Sequence, residues 1–388
     1  MTISSVEISE PPRHTTQSRL RVLIAMGTRP EIIKQAPLAW AAAEHPDIDP
    51  VICHSGQHAD LADPMLDHFQ IQPDVHLDLM RSHRTLPSLI GGCIGRSEAM
   101  FAEHKIDVVV VQGDTATTAA MSLAAFYARI PVVHVEAGLR TGDLQSPWPE
   151  ELNRRVATLA ASLHCAPTEF ARQTLLAENV ASERVFVSGN PVVDALQWTL
   201  AKATAADASI VGDQPLVVLT AHRRENFGKP LEAICSAVLE LTNQFPDHRF
   251  VFVTHPNPQA GPVVRSILKG NSRIELAAPM SYPQFVQLMR GSRLIISDSG
   301  GIQEEAPTLG VPLLVTRKST ERPEAVQCGA AELVGTDSEL IVSRAAFWLR
   351  ASQQNGKPKV CNPFGDGQAG QRIIEQIAAR FAHVGAKN

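Results

Sequence analysis

The six cysteines, at positions 53, 93, 165, 235, 328 and 361, have no paired spacing. Disulfide frameworks and zinc sites both need close pairs, so buried reduced thiols are the expected state. His54 and His58 stand four apart, but the Ser-Gly between them breaks the helix that would align them as metal ligands, and no metal is expected. No apolar run approaches the ~20 residues of a membrane span. Residues 1–19 lack the apolar core of a signal peptide and read as a loose polar tail. Positive charge is not in excess either. The 35 Lys and Arg face 40 Asp and Glu, a net charge of -5, which argues against a general nucleic-acid binder. An anionic ligand must therefore be held by local cations. Neither a GxGxxG fingerprint nor a Walker A sequence occurs, so a nicotinamide or flavin has no support and no cofactor is expected. What these absences leave is a soluble, cytoplasmic globular chain with 44% hydrophobic and 19% charged residues.

Its 388 residues are enough for two domains. Short apolar runs alternate with helical patterns throughout, which calls for parallel sheets with helices on both faces. Strands are predicted at Leu20–Met26, Ile48–His54, Val75–Leu79, Val108–Val111, Val132–Val135, Leu163–Ala166 and Val185–Val187. Ala203–Pro215, rich in Ala, Asp, Gly and Ser, reads as a linker. The pattern restarts at Leu216–Thr220 and continues through Arg249–Val253, Ile274–Leu276, Leu294–Ser297 and Pro312–Val315. The fold class is thus α/β with two doubly wound, Rossmann-like domains, 20–205 and 206–365. A final helix lies within 366–388.

Acidic residues gather where strands end. The stretch Gln112–Arg155 places Asp114 after one predicted strand, Glu136 after the next, and Glu150 and Glu151 at a helix start. Ligands of open α/β sheets sit beyond those strand ends. The spacing Glu150–Arg154 and Glu151–Arg155 also fits simple pairing on a helix surface. Gly27-Thr28-Arg29-Pro30-Glu31 is a strand-to-helix turn, and Arg29 and Lys34 are placed to meet an anion at the helix N-terminus. Asp298-Ser299-Gly300-Gly301-Ile302-Gln303-Glu304-Glu305 is a second such turn. Its glycines admit a ligand to the backbone, and Ser299 and the amides suit a diphosphate. A carboxylate one turn into that helix suits ribose hydroxyls. His222, at the end of another strand, is a proton carrier or phosphate donor. Taken alone, it reads more readily as a hydrogen-bonded structural histidine. His255 occupies a similar place.

These blocks, with His134-Val135-Glu136-Ala137-Gly138-Leu139-Arg140-Thr141-Gly142-Asp143, Ser146-Pro147-Trp148-Pro149-Glu150-Glu151, His222-Arg223-Arg224-Glu225-Asn226 and Thr320-Glu321-Arg322-Pro323-Glu324, run in order along the chain. Together they resemble the bacterial non-hydrolysing UDP-N-acetylglucosamine 2-epimerases, from about Leu20 to the last helix. The resemblance implies a glycosyltransferase-B-like fold with the active site in the interdomain cleft and the last helix packing back on the first domain. It implies reversible conversion of UDP-GlcNAc to UDP-ManNAc through a 2-acetamidoglucal, supplying UDP-ManNAc for cell-surface polysaccharide synthesis, and a homodimer. Carried over by position, Asp114, Glu136, Glu150 and His222 match the catalytic residues. Arg29, Lys34, Met280, Phe285, Ser299, Gly300, Gly301, Glu305 and Arg322 match the substrate-binding positions.

A hydrolysing epimerase releasing ManNAc and UDP, a retaining glycosyltransferase of the same fold and a non-catalytic nucleotide-sugar binder remain alternatives, though the last leaves the acidic cluster unexplained. The chain departs from relatives at Gln57-His58-Ala59-Asp60, and it places His83, flanked by Arg81 and Arg84, where relatives can carry Arg after the third strand. In some members this region forms a second, regulatory UDP-GlcNAc site. Weak or absent activation is expected here. A sigmoidal rate curve with UDP-ManNAc that trace UDP-GlcNAc restores would contradict that expectation.

Overall fold

A computed structural model describes residues 19–57, 59–79, 85–223, 226–254, 260–356 and 359–382. Residues 1–18 of the expected tail, His58, Arg81, His83, Arg84 and His255 lie outside the described residues. The first half runs β1 (Leu20–Met26), α1 (Arg29–Glu44), β2 (Ile48–His54), α2 (Ala59–Phe69), β3 (Val75–His76), α3 (Leu86–His104), β4 (Val108–Gln112), α4 (Ala116–Tyr127), β5 (Val132–Val135), α5 (Glu150–Ala160), β6 (Leu163–Ala166), α6 (Glu169–Ala177), β7 (Val185–Val187) and α7 (Pro191–Lys202). A short α8 (Ala205–Ala208) precedes the second half. That half comprises β8 (Leu216–Thr220), α9 (Lys229–Gln244), β9 (Arg249–Val253), α10 (Ala260–Leu268), β10 (Ile274–Ala277), α11 (Tyr282–Gly291), β11 (Ser292–Ser297), α12 (Ile302–Thr308), β12 (Leu313–Val315), α13 (Pro323–Gln327), β13 (Ala331–Leu333) and α14 (Ser338–Asn355). The last helix is α15 (Ala369–Phe381).

Each half is one parallel sheet. The first has seven strands in the order β3-β2-β1-β4-β5-β6-β7, the second six in the order β10-β9-β8-β11-β12-β13. Both are doubly wound, Rossmann-like sheets. Their central strands are covered on both faces, so they are apolar without alternation: Val108, Val109, Val110 and Val111 of β4 are all fully buried. Among the described residues no helix is long and apolar enough to cross a membrane.

The halves share a core. One continuous cluster of buried side chains includes Val108 and Val193 from the first half and Tyr282, Val286 and Ile302 from the second. Helices α11 and α12 pack on α7, and α15 crosses back to pack on α1 and α7. Close approach fixes that last docking. A Cβ on Gly370 would stand 2.7 Å from the Pro37 Cβ and 2.8 Å from its carbonyl carbon and oxygen, while the Gly370 amide donates to Asp194 Oδ1 at 2.9 Å.

Several expectations change. The linker contains a helical turn at Ala205–Ala208, because Thr204 and Asp207 close a reciprocal capping box there. The strand expected over Val75–Leu79 pairs only at Val75 and His76. Beyond them the Leu77 and Leu79 amides are bound in the loop by the His54 and Ser55 carbonyls. Helices α6, α13 and α14 and strand β13 were not anticipated. For α14 a signal existed, since Asp337 caps it by accepting from the Leu340 amide.

Gly370→Val forces backbone contacts that neither partner can relieve, and overpacking of this kind costs about 1–3 kcal/mol. A lowered denaturant midpoint is expected, and an unchanged one would mean that α15 has room to spare.

Candidate active site

The predicted site residues meet where the strand order of each sheet reverses. In the first sheet the reversal lies between β1 and β4, in the second between β8 and β11. The loops leaving those strands diverge there and open a crevice. Glu31 clasps the first crevice. Its buried carboxylate accepts from the Gly27 amide at 3.1 Å and the Thr28 hydroxyl at 2.8 Å on the β1 side, and from the Thr115 hydroxyl at 2.7 Å on the β4 side. Burial outweighs those bonds and pushes its pKa up to about 7.

Glu136 follows β5 with φ at 61°, a left-handed conformation that a side chain disfavours. The turn carries the carboxylate inward, where it is 6% exposed. There Lys34 donates to Oε2, together with Gln112 at 3.1 Å and Asn190 at 3.2 Å, and Arg322 reaches Oε1 at 3.5 Å. Lys34 and Arg322 also hold Glu304, at 2.8 and 2.6 Å, and Arg322 holds Glu321 at 2.7 Å. Burial raises the Glu136 pKa, the Glu304 charge adds to it, and Lys34 and Arg322 offset it only in part. Burial acts on Glu304 too, but there the two cations win and its pKa is lowered. Lys34 keeps its proton more tightly than usual despite burial, because Glu136 and Glu304 flank it.

Asp114 and Glu150 form the opposite wall. The Glu150–Arg154 surface pair expected from spacing is not made. Arg154 turns inward to Asp114 Oδ2 and to Glu151 Oε2, the latter at 3.2 Å. Glu151 is fully buried and pairs with Arg155 at 3.1 Å, while the Thr141 and Gly142 amides donate to it. The Glu151–Arg155 pair expected from spacing is made, and Glu151, itself buried, also anchors the preceding loop. Glu150 Oε2 is buried without a hydrogen-bond partner among the described residues. Burial raises the Glu150 pKa and the Asp114 charge raises it further, against Arg223 and Arg154.

From the second half, His222 sets Nδ1 3.1 Å from Asp298 Oδ1, and the His222 and Arg223 amides donate to the same carboxylate. Burial opposes the charge on Asp298, but the His222 contact and those amides hold its pKa low. The Ser299 amide, expected to face a phosphate, donates instead to Ser297 Oγ at 3.0 Å. Gly300 is pinched: a Cβ there would lie 3.2 Å from Arg322 Nη1 and 3.3 Å from Arg223 Nη2. Gly301 stands just before α12 with open space at its Cβ position. The neighbouring glutamates diverge. Glu304 enters the ion cluster, whereas Glu305 accepts from the Tyr282 hydroxyl at 2.8 Å. Arg29, expected to face an anion, lies 5.7 Å from the centre of the Tyr282 ring. Met280 and Phe285 are half-buried against the shared core.

Acids from the first half and cations from both halves therefore line one gap. Lys34, Arg322 and Arg223 bring positive charge there, and Glu136, Glu150 and Asp114 bring carboxylates. Glu31, Arg154, Arg223, Glu304, Tyr282 and Asp298 were not among the expected site residues. Arg223, Asp298 and Glu304 sit inside the quoted blocks, so a signal existed. For Tyr282 there was none. No group of three or more His, Cys, Asp or Glu side chains is placed to hold a metal among the described residues.

The profile of a family described as UDP-N-acetylglucosamine 2-epimerase matches residues 41–378. The UDP-N-acetylglucosamine 2-epimerase of Escherichia coli O157:H7 is 45% identical over 369 residues, covering 92% of this chain and 98% of that protein. The UDP-GlcNAc 2-epimerase of Neisseria meningitidis, solved bound to UDP-GlcNAc, superposes with a TM-score of 0.88 at 39% identity, covering 93% of this chain and all of the other. The Methanocaldococcus jannaschii enzyme, solved with UDP-GlcNAc and UDP, superposes with a TM-score of 0.81 at 34% identity and covers 93% of this chain.

Glu31 makes stability depend on pH. Its folded pKa of about 7 lies above its usual 4.5, so its contribution is complete below about pH 4.5 and is lost as pH rises through about 7. Relative to Glu31→Gln, the wild type is expected to lose about 2.5 kcal/mol between pH 5 and 8. Parallel urea titrations of the two proteins across that range check the sign, and a gap that stays constant would remove Glu31 as the cause.

Proposed function

The chain belongs to the UDP-N-acetylglucosamine 2-epimerase family, and from that premise we propose that it interconverts UDP-GlcNAc and UDP-ManNAc without hydrolysis. The observation that carries this reading is the meeting of Glu136 with Arg322 and Lys34, two cations that reach it from opposite halves. An elimination needs that combination: proton carriers beside the sugar and fixed positive charge beside the departing diphosphate.

In the forward direction a carboxylate takes the C2 proton. The C2–H electron pair becomes the C1–C2 double bond, and the C1–O pair leaves with UDP. The product held in the cleft is 2-acetamidoglucal. UDP then adds back at C1 while a proton is delivered to the other face of C2. Atoms and electrons balance without a redox partner. Glu136 and Glu150 are the proton carriers, since burial raises the proton affinity of both. Asp114, held by Arg154 and adding to the Glu150 shift, orients and tunes that wall. His222, oriented by Asp298, donates to the leaving phosphate. Arg223 and Arg322 flank Gly300, Lys34 pairs with Glu304 on the helix that follows, and together they neutralise the diphosphate, with Arg29 and Ser299 bordering the same site. Glu305 takes the ribose hydroxyls, and Phe285 and Met280 flank the uracil.

Incubation with UDP-GlcNAc in deuterated water should place deuterium at C2 and yield UDP-ManNAc. Accumulation of free ManNAc in the NMR time course would instead favour the hydrolysing alternative. Asp114→Asn, Glu136→Gln, Glu150→Gln and His222→Asn are each expected to cut turnover by at least ~100-fold. A near-normal rate in any one removes that residue from the chemistry.

A further inference from the structure

Tyr282 is fully buried at the first position of α11, yet it touches both halves. Its ring lies 6.0 Å from the ring of Phe69 and 6.1 Å from that of His68, both on α2 of the first half. The guanidinium of Arg29, at the start of α1, lies 5.7 Å from its centroid. Phe69 in turn sits in an aromatic group with Trp40 and Trp198, at 5.8 and 5.7 Å. The edge of the ring is thus seated in the first half, while its hydroxyl donates to Glu305 Oε1 at 2.8 Å in the second.

A buried carboxylate swings freely about its last torsion unless something fixes one oxygen. The Tyr282 hydroxyl does this for Glu305, since it binds one oxygen and leaves the other for a ligand. Burial raises the Glu305 pKa, and the Tyr282 hydroxyl opposes that rise by donating to the carboxylate. Tyr282 also stands two residues from Met280 and three from Phe285, so a base held by those side chains would bring its ribose to the same corner.

We propose that Tyr282 is a positioning residue for nucleotide recognition: its hydroxyl aims the Glu305 carboxylate at the ribose diol, and its ring makes that aim depend on the two halves being seated together. The proposal rests on the assignment of Glu305 to the ribose in the reading above. Tyr282→Phe keeps the ring and its contacts and removes only the hydroxyl.

Isothermal titration of wild type and Tyr282→Phe with UDP and with 2′,3′-dideoxyuridine diphosphate separates the cases. Loss of that hydrogen bond predicts about tenfold weaker UDP binding by the variant. The dideoxy nucleotide should bind both proteins alike, because it has no diol for Glu305 to meet. The double variant Tyr282→Phe/Glu305→Gln should bind UDP no more weakly than Glu305→Gln alone. Equal UDP affinity in wild type and Tyr282→Phe, or an equal loss with both nucleotides, overturns the proposal while leaving the epimerase reading intact. No binding of UDP by the wild type overturns both.

Discussion

The structure depends on one balance of buried charge. Glu136 and Glu304 share Lys34 and Arg322 in a space almost closed to water, and the four groups come from four different segments of the chain. Removing one member of such a set strands a charge at a cost of about 3–5 kcal/mol. The set therefore fixes more than itself. It holds β5's end, α1, α12 and the loop before α13 in one relative position, and so sets how the two halves face each other. The left-handed backbone at Glu136 is tolerated because these partners over-determine where its carboxylate goes.

The same balance divides the acids by task. Asp298 and Glu304 are buried among donors and cations that keep them ionised, which makes Glu304 a fixed counter-charge for Lys34 and Arg322 and Asp298 a fixed acceptor beside His222. Glu136 and Glu150 are buried where the positive charge does not fully compensate, which raises their affinity for a proton. Carboxylates of similar intrinsic strength are thus separated by their surroundings into groups that keep their charge and groups that hold a proton more readily. A diphosphate entering beside Gly300 would compete with Glu136 and Glu304 for the same cations, so ligand charge and protein charge are exchangeable in this gap.

The halves are joined more closely than a simple linker implies. The shared apolar cluster, the aromatic seat of Tyr282 and the return of α15 all bind them, and Thr168 of the first half donates to Glu324 of the second. Helices α11 and α12, which carry Tyr282, Glu304 and Glu305, are therefore packed against the first half. The Tyr282–Glu305 contact and the Glu136–Arg322 cluster therefore belong to one packed unit.

Much of this was legible in the sequence, and physics explains where legibility stopped. Apolar runs bounded by turns determined the two parallel sheets, since a strand covered on both faces has little choice but to be apolar throughout. Strand-to-helix turns determined which loops carry chemistry, because Gly27, Asp114, His222 and Asp298 stand at strand ends whatever their neighbours are. Local spacing failed once a side chain had a choice of partners. Arg154 is equally placed along the helix for Glu150, but it takes Asp114, a residue 40 positions away. Tyr282 carries no motif, and its contacts exist only because Phe69, Arg29 and Glu305 arrive around it from distant segments. The chain by itself decided which residues sit at the mouths of the sheets. Which charges meet, which stay unpaired and hence which acids hold their protons were decided only by the tertiary structure, because burial and electrostatic pairing are properties of neighbours in space.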